Sequence, residues 1–275
     1  MTDYDADAFD AYEQAGWEAI AERFAERWSP VTSQAIAALL DAANVGLRSV
    51  VLDVGTGAGD AAGRAVERGA KATGVDVASA MVEIAARRYP QATFAQASAT
   101  ELPFADGAFD AVVGNNVIQH LGEPQRAARE FRRVLADGGR VALSSWDAAE
   151  RSPFFAAVLG SVAAAEVPSP TEAPEGPSFF QFTDDSVFRT LLEDAGFEAV
   201  AVDSVPIEIS VASGDELIAA LAEGTVRVGA ALRAADATHR ARVREALEER
   251  LAEWRRGDGF VVPAPMKLAS GTKPA

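Results

Sequence analysis

From residue 8 to about residue 45 the apolar positions recur at helical spacing: Trp17, Ile20, Phe24 and Trp28 share one face, and Ile36, Leu39 and Leu40 share the next. Two helices are predicted, with "WSPVTS" (28–33) as the break between them. At Ser49 the period changes, and short apolar runs begin to alternate with helical stretches. "SVVLDVG" is apolar on both faces, as a central parallel strand should be, and the helix "DAAGRAVERG" follows, closed by Gly69. "KATGVDV" predicts a second strand, after which Ser79 is placed to cap a helix that turns Met81, Ile84 and Ala85 inward. "ATFAQAS" and "FDAVVGNN" read as the third and fourth strands. Pro124 opens a helix whose Ala128, Phe131, Val134 and Leu135 lie together, "DGG" (137–139) ends it, and "RVALSSW" is the fifth strand.

Beyond Trp146 the alternation lapses. Residues 153–167 read as a helix, the four prolines of "VPSPTEAPEGPS" (167–178) as an irregular loop, and "FTDDSVFRTLLEDAGF" as a capped helix ending at Gly196. "EAVAVDSVPIEISVAS" predicts one long or bent strand, residues 215–254 a helical stretch, and "MKLASGTK" a final strand. The alternation makes the fold class α/β, with a doubly wound sheet. No linker long enough to separate a second domain is visible. One domain of 275 residues is expected, with a helical cap (1–46), a core (47–147), and lid helices with C-terminal strands (148–275).

Composition narrows the function classes. With 49% hydrophobic and 24% charged residues the chain can bury a large core. Its lack of cysteine removes disulfides, thiolate zinc sites and cysteine nucleophiles together. A net charge of −16 would repel a phosphate backbone, so no nucleic-acid partner is expected. No apolar run reaches the roughly 18–20 residues of a membrane span, and the acidic N-terminus is unlike a secretory signal. A cytoplasmic protein without membrane insertion is expected. Two isolated histidines and scattered acids give no metal-ligand spacing.

The chemistry concentrates in "VLDVGTGAGD" (51–60). Three glycines in five residues, Gly55, Gly57 and Gly59, let a backbone turn approach a ligand closely. Ligands of open α/β sheets sit at such strand ends. The spacing is G-x-G-x-G, with Asp60 where a dinucleotide motif would want a bare helix N-terminus. Asp53 would repel a phosphate but favour an ammonium group. Asp76, ending the second strand, can accept both hydroxyls of a ribose. A nucleoside carrying an amine and no phosphate fits these signals.

"VLDVGTGAGD", "GVDVASAMVEIAARR", "ATELPFADGAFDAVVGNNVIQHL" and "EFRRVLADGGRVALSSW" stand in the order and spacing of class I S-adenosylmethionine-dependent methyltransferases. The resemblance is strongest to the small-molecule branch with ubiquinone/menaquinone-type enzymes, over about residues 50–146. It implies a seven-stranded Rossmann-like methyltransferase sheet whose last strand, "MKLASGTK", is antiparallel. It implies S-adenosyl-L-methionine as cofactor. The methionine part would lie on Gly55, Thr56, Gly57 and Gly59, with Asp53 near its ammonium group and Asn115 facing the same end. Asp76 would bind the ribose, and Val77 and Met81 would flank the adenine. Many relatives have an acid where this chain has Ser98, so that hydroxyl or the Ala99 amide would meet the adenine amino group.

A sulfonium methyl is already activated, so the reaction asks mainly for alignment and exclusion of water. A base is needed only where the nucleophile must lose a proton, and His120, in "IQHLGEP" after the fourth strand, is the candidate. His239 reads as a surface or cap residue. Aromatics outside the common sheet are expected to bound the acceptor: Tyr12, Trp17, Phe24, Trp28, Trp146, Phe154, Phe155, Phe179, Phe180 and Phe182. Beside the proline-rich loop they suggest a lid over an apolar pocket. The expected partner is a small, largely apolar or aromatic methyl acceptor, modified at oxygen or carbon. A homodimer is left open. The rival readings are a nicotinamide-dependent oxidoreductase and a cofactor-binding interaction protein without turnover.

Overall fold

The chain enters its sheet through a strand buried on both faces, and everything else is laid around it. The computed structural model describes residues 4–168 and 173–275. Helices α1 (Ala6–Arg27), α2 (Ser29–Thr32) and α3 (Ile36–Ala42) precede strand β1 (Val50–Val54). Then follow α4 (Asp60–Glu67), β2 (Lys71–Asp76), α5 (Ser79–Arg88), β3 (Thr93–Gln96), β4 (Phe109–Asn115), α6 (Pro124–Val134) and β5 (Leu135–Trp146). The second half contributes α7 (Pro153–Ala164), α8 (Asp185–Asp194), β6 (Glu198–Val205), β7 (Glu208–Val211), α9 (Gly214–Gly224), α10 (Arg227–Ala234) and α11 (Ala237–Arg250). It closes with β8 (Arg255–Arg256), β9 (Gly259–Pro263) and β10 (Met266–Thr272).

Seven strands form the main sheet in the order β3-β2-β1-β4-β5-β10-β6. β1 runs parallel to both β2 and β4, and β10 runs antiparallel to both β5 and β6. The expected doubly wound sheet with an antiparallel last strand is therefore present. Strand order reverses between β1 and β4, so the carboxyl ends of these strands open a crevice for a ligand. Each face of the sheet is covered. Phe131 and Val134 of α6 pack with Phe188 and Leu192 of α8 on one side. Leu39 and Leu40 of α3 pack with Ala62 and Ala65 of α4 on the other. A third cluster joins Trp28, Phe154, Leu217, Leu232 and Leu247 into a helical cap above the strand ends.

Several boundaries differ from the pattern-based expectation. "WSPVTS" does not end the helical run: Trp28 keeps helical dihedrals and the chain bends into α2. Leu135 pairs with Phe109 and belongs to β5, not to the helix before it. The segment 198–211 is two strands, because Pro206 interrupts it. β6 stays in the main sheet while β7 crosses into a three-stranded sheet, β7-β9-β8. The helical stretch 215–254 is three helices and a last 3-10 turn. Ser79 does not cap α5. No helix among the described residues is long and apolar enough to cross a membrane.

Candidate active site

The glycine turn after β1 is shaped by contacts that exclude side chains. Gly55, Gly57 and Gly59 all have positive φ, at +64°, +52° and +88°. A Cβ on Gly55 would meet the Val117 side chain at 2.4 Å, and one on Gly59 would meet Ala85 and Tyr89 at 2.9 Å. Asp53 is fully beneath this turn. Its Oδ2 accepts from the Thr56 hydroxyl at 2.6 Å and from the Ala62 amide at 3.0 Å, tying the turn to the first turn of α4. Asp53 thus commits one oxygen to the turn itself and is not among the residues that line the cavity. A carboxylate on a buried strand is drawn to the unpaired amides of a helix N-terminus, and here they hold it. Burial pushes its carboxyl up to about 7, with the Thr56 and Ala62 hydrogen bonds opposing and the charges of Asp60 and Asp76 adding to the rise. Thr56 and Gly59 likewise build the turn and do not line the cavity beyond it; Gly55 and Gly57 do.

Asp76 is on the cavity wall. One carboxylate oxygen accepts from the Gly57 amide at 2.9 Å and the other from the Ala78 amide at 3.0 Å. It bridges the glycine turn to the residue before α5, while the capping expected of Ser79 falls to Glu18 of α1, which accepts from the Ala80 amide at 3.2 Å and from the Ser79 hydroxyl at 2.8 Å. Burial raises its carboxyl above the ordinary value, and the backbone donors counteract that. Val77, Met81, Ser98, Ala99 and Thr100 continue the wall. The Val77 carbonyl is fixed by amide donors from Gln14 at 3.1 Å and Gln96 at 2.8 Å. Ser98 and Thr100 place their hydroxyls 2.9 Å apart. Asn115 also lines the cavity, its amide clamped between the Thr32 carbonyl at 3.1 Å and the Ser144 hydroxyl at 2.7 Å.

The cavity of about 320 Å³ runs from this cradle into an aromatic chamber under the cap. Trp17, Phe24, Trp28, Trp146, Phe154, Phe155, Phe179 and Phe180 all reach it. Edge-to-face contacts make them one wall, with Trp146–Phe155 at 5.2 Å, Phe155–Phe180 at 5.2 Å and Phe179–Phe180 at 5.1 Å between ring centroids. Tyr12 does not reach the cavity, and Phe182 is a core residue packed on Phe188. Both sit in aromatic-rich segments whose neighbours do line it, and helical phase turns them elsewhere. His239 hydrogen-bonds Asp236 at the start of α11, far in function from the chamber.

His120 stands where the cradle meets the chamber, between Trp17 at 5.0 Å and Phe179 at 5.6 Å. Its Nδ1 is 2.9 Å from Oε2 of Glu13. Glu13, 3% exposed, also accepts from Trp17 Nε1 at 3.0 Å and from Arg227 Nε at 2.6 Å. Burial works to raise its carboxyl, yet the electrostatic pull and hydrogen bonds of His120 and Arg227 outweigh it and hold the group below its ordinary value. Arg227 spends its other nitrogens on the carbonyls of Pro177 at 3.2 Å and Gln119 at 3.0 Å. Pattern reading of the sequence missed Glu13 and Arg227. The available signal was an acid on the buried stripe of α1, between Phe9 and Ile20.

The cradle suits the expected cofactor: Gly55 and Gly57 leave backbone bare where any Cβ would intrude, and an acid borders it. Residues 52–143 match the family model described as "Methyltransferase domain". The chain is 32% identical to demethylmenaquinone methyltransferase of Chlorobaculum parvum over 171 residues, 58% of this chain and 70% of that protein. Among solved structures, the (4+2)-cyclase SpnF superposes with a TM-score of 0.59 at 20% identity, covering 96% of this chain and 97% of that one. A phosphoethanolamine N-methyltransferase 2 of Haemonchus contortus, in complex with S-adenosylhomocysteine, gives 0.53 at 18% identity over 87% of this chain and 52% of that one. At these identities the structural likenesses establish the fold.

Proposed function

The chain belongs to the class I S-adenosylmethionine-dependent methyltransferases and acts on a small molecule with S-adenosylmethionine as cofactor, and from that premise we propose that its acceptor is an uncharged, largely apolar ring compound bearing a hydroxyl group. The single observation that carries this reading is the aromatic wall that runs unbroken from the glycine cradle to His120. A flat apolar body would be gripped edge and face by Trp146, Phe155 and Phe180. Anionic acceptors are disfavoured, because Arg227 already spends its guanidinium on Glu13 and two carbonyls. The likeness to a protein named for a demethylated quinone supports a quinol-like ring.

Bound on the cradle, S-adenosylmethionine supplies a sulfonium methyl that needs no further activation. Gly55 and Gly57 would receive its amino-acid end and Asp76 its ribose, while Val77, Met81, Ser98 and Ala99 would enclose the adenine. The chain's own residues then orient the acceptor, exclude water and take one proton. His120 would remove the hydroxyl proton through Nε2, and the oxygen, or the ring carbon it activates, would attack the methyl. A new O–C or C–C bond would form as the S–C bond broke, and the proton taken by His120 would leave on imidazole the positive charge lost from sulfur. On this reading the cap, core and lid segments act as one catalytic unit.

The test is conversion of S-adenosylmethionine to S-adenosylhomocysteine with a panel of quinols, phenols, terpenoid alcohols and carboxylic acids. Turnover is expected with the hydroxylated rings, and turnover confined to the acids would overturn the acceptor class. His120→Ala is expected to cut turnover by about 100-fold, at the lower end for a lost base, with cofactor affinity kept. Full activity in that variant would remove the base.

A further inference from the structure

The network behind His120 goes beyond naming a base and rests on that reading of His120. We propose that Glu13, carried in by the N-terminal helix, is the positioning residue that fixes the tautomer and direction of His120, with Arg227 moderating its charge. An ionised carboxylate has no proton to give, so the 2.9 Å contact between Glu13 Oε2 and His120 Nδ1 places the proton on Nδ1. Nε2 is then the only ring atom able to accept one. Ring rotation is blocked on both sides by Trp17 and Phe179. Glu13 cannot turn away either, because three donors from α1, the turn after β4 and α10 converge on it.

The arrangement also matches what turnover does to charge. When the acceptor proton moves to Nε2, the ring becomes a cation lying against the Glu13 carboxylate. Glu13 stays ionised throughout, and the proton leaves to solvent after product release. Arg227 draws on the same carboxylate and so weakens its pull on the ring. The charged groups around this part of the cavity are Asp10 and Glu13 from α1, Asp76 at the end of β2 and Arg227 from α10. Asp10 is committed to the Gly122 amide at 2.6 Å, which leaves Glu13 and Arg227 as the pair that acts on His120. The base is therefore assembled across three elements and exists in working form only while α1 lies over the site.

Imidazole nitrogen NMR on the unliganded protein tests this directly, because the chain has only two histidines. In the wild type His120 should be protonated at Nδ1 with a bare Nε2. Glu13→Gln should move the His120 titration to lower pH and mix the tautomers, since the ring cation loses its negative partner. Arg227→Gln should move it to higher pH, since the carboxylate then acts on the ring alone. The rising limb of turnover against pH should follow both displacements. Glu13→Gln should also lower kcat at least about tenfold with S-adenosylmethionine affinity within about twofold, as expected for lost general-base support. Glu13→Asp should retain the titration better than Glu13→Gln. A wild-type ring protonated at Nε2 would overturn the proposal even if a variant failed to fold. So would titrations that stay fixed, or move the same way, in the two charge variants, because that is the mark of a merely structural tie. Wild-type turnover in His120→Gln would remove the base reading while leaving the NMR result standing, so the two failures are distinct.

Discussion

Asp53→Asn isolates the cost of the buried acid under the glycine turn. The wild-type carboxyl ionises near 3.8 when unfolded and at about 7 when folded, burial being the main cause. Between those two pH values the unfolded chain has released the proton and the folded chain still holds it. The unfolded state therefore binds fewer protons, and stability falls as pH rises through this window, levelling off above about 7. A gap of about 3 pH units corresponds to about 4 kcal/mol at high pH, at roughly 1.36 kcal/mol per unit. Over the accessible range from pH 5.5, above the sequence pI of about 4.6, to pH 8.5, about 2 kcal/mol of that loss should appear. Asparagine cannot ionise, so this contribution vanishes in the variant while the Thr56 and Ala62 donors keep an oxygen to meet. Equilibrium urea unfolding of both proteins at the two pH values gives the measurement. The wild type should lose about 2 kcal/mol more than Asp53→Asn on going to pH 8.5. Parallel pH dependences would refute the reasoning and mean that Asp53 is ionised and well solvated in the folded protein.

Asp76→Ala removes the bridge between the Gly57 and Ala78 amides and should weaken S-adenosylmethionine binding by about 1.5–3 kcal/mol, read by calorimetry; unchanged affinity would show the ribose to lie elsewhere. Gly63→Ala would put a Cβ 2.3 Å from the Tyr89 ring and should lower stability by roughly 1–3 kcal/mol in thermal or urea unfolding. Adding Tyr89→Ala to that variant should recover part of the loss, and a double variant no better than the sum of the two singles would show that the ring is not the obstacle.

The first five strands were legible in the sequence because parallel central strands are apolar on both faces and end at glycine, proline or acidic punctuation. "VVLDVG" and "AVVGNN" could be placed to within a residue for that reason. The end of α6 was not legible: Leu135 continues the helical stripe in spacing, yet tertiary pairing with Phe109 claims it for β5. The small sheet of β7, β8 and β9 escaped notice since its strands are two to five residues long, too short to show a period. Its one signal was "RRGDGF", a hairpin turn at Gly257, whose φ is +58°. At the site the motif residues split in two. Those read for backbone shape, Gly55 and Gly57, and for the strand-end acid, Asp76, reach the cavity, whereas Asp53, Thr56 and Gly59 serve the turn from below. A side chain two positions from a glycine can point either into a crevice or under it, and only the strand's pleat decides. Glu13 and Arg227 lie 214 positions apart in the chain, and no local pattern could join them.

The place of β10 has a consequence for how the chain is made. Residues 266–272 slot between β5 and β6, so each of those strands offers an unpaired edge until residues 266–272 have been synthesised. At roughly 5–20 residues per second, β5 waits on the order of ten seconds after translation for its neighbour. During that interval the nascent half-sheet, residues 47–146 with 11 acidic and 11 basic side chains, carries no net charge of its own. Any repulsion between open edges must come from the N-terminal helices, where residues 1–46 hold 9 acidic side chains against 2 arginines. The acidic N-terminal helices, made before any strand of the sheet, thus supply what charge repulsion the open edge of β5 has while β10 is still to come.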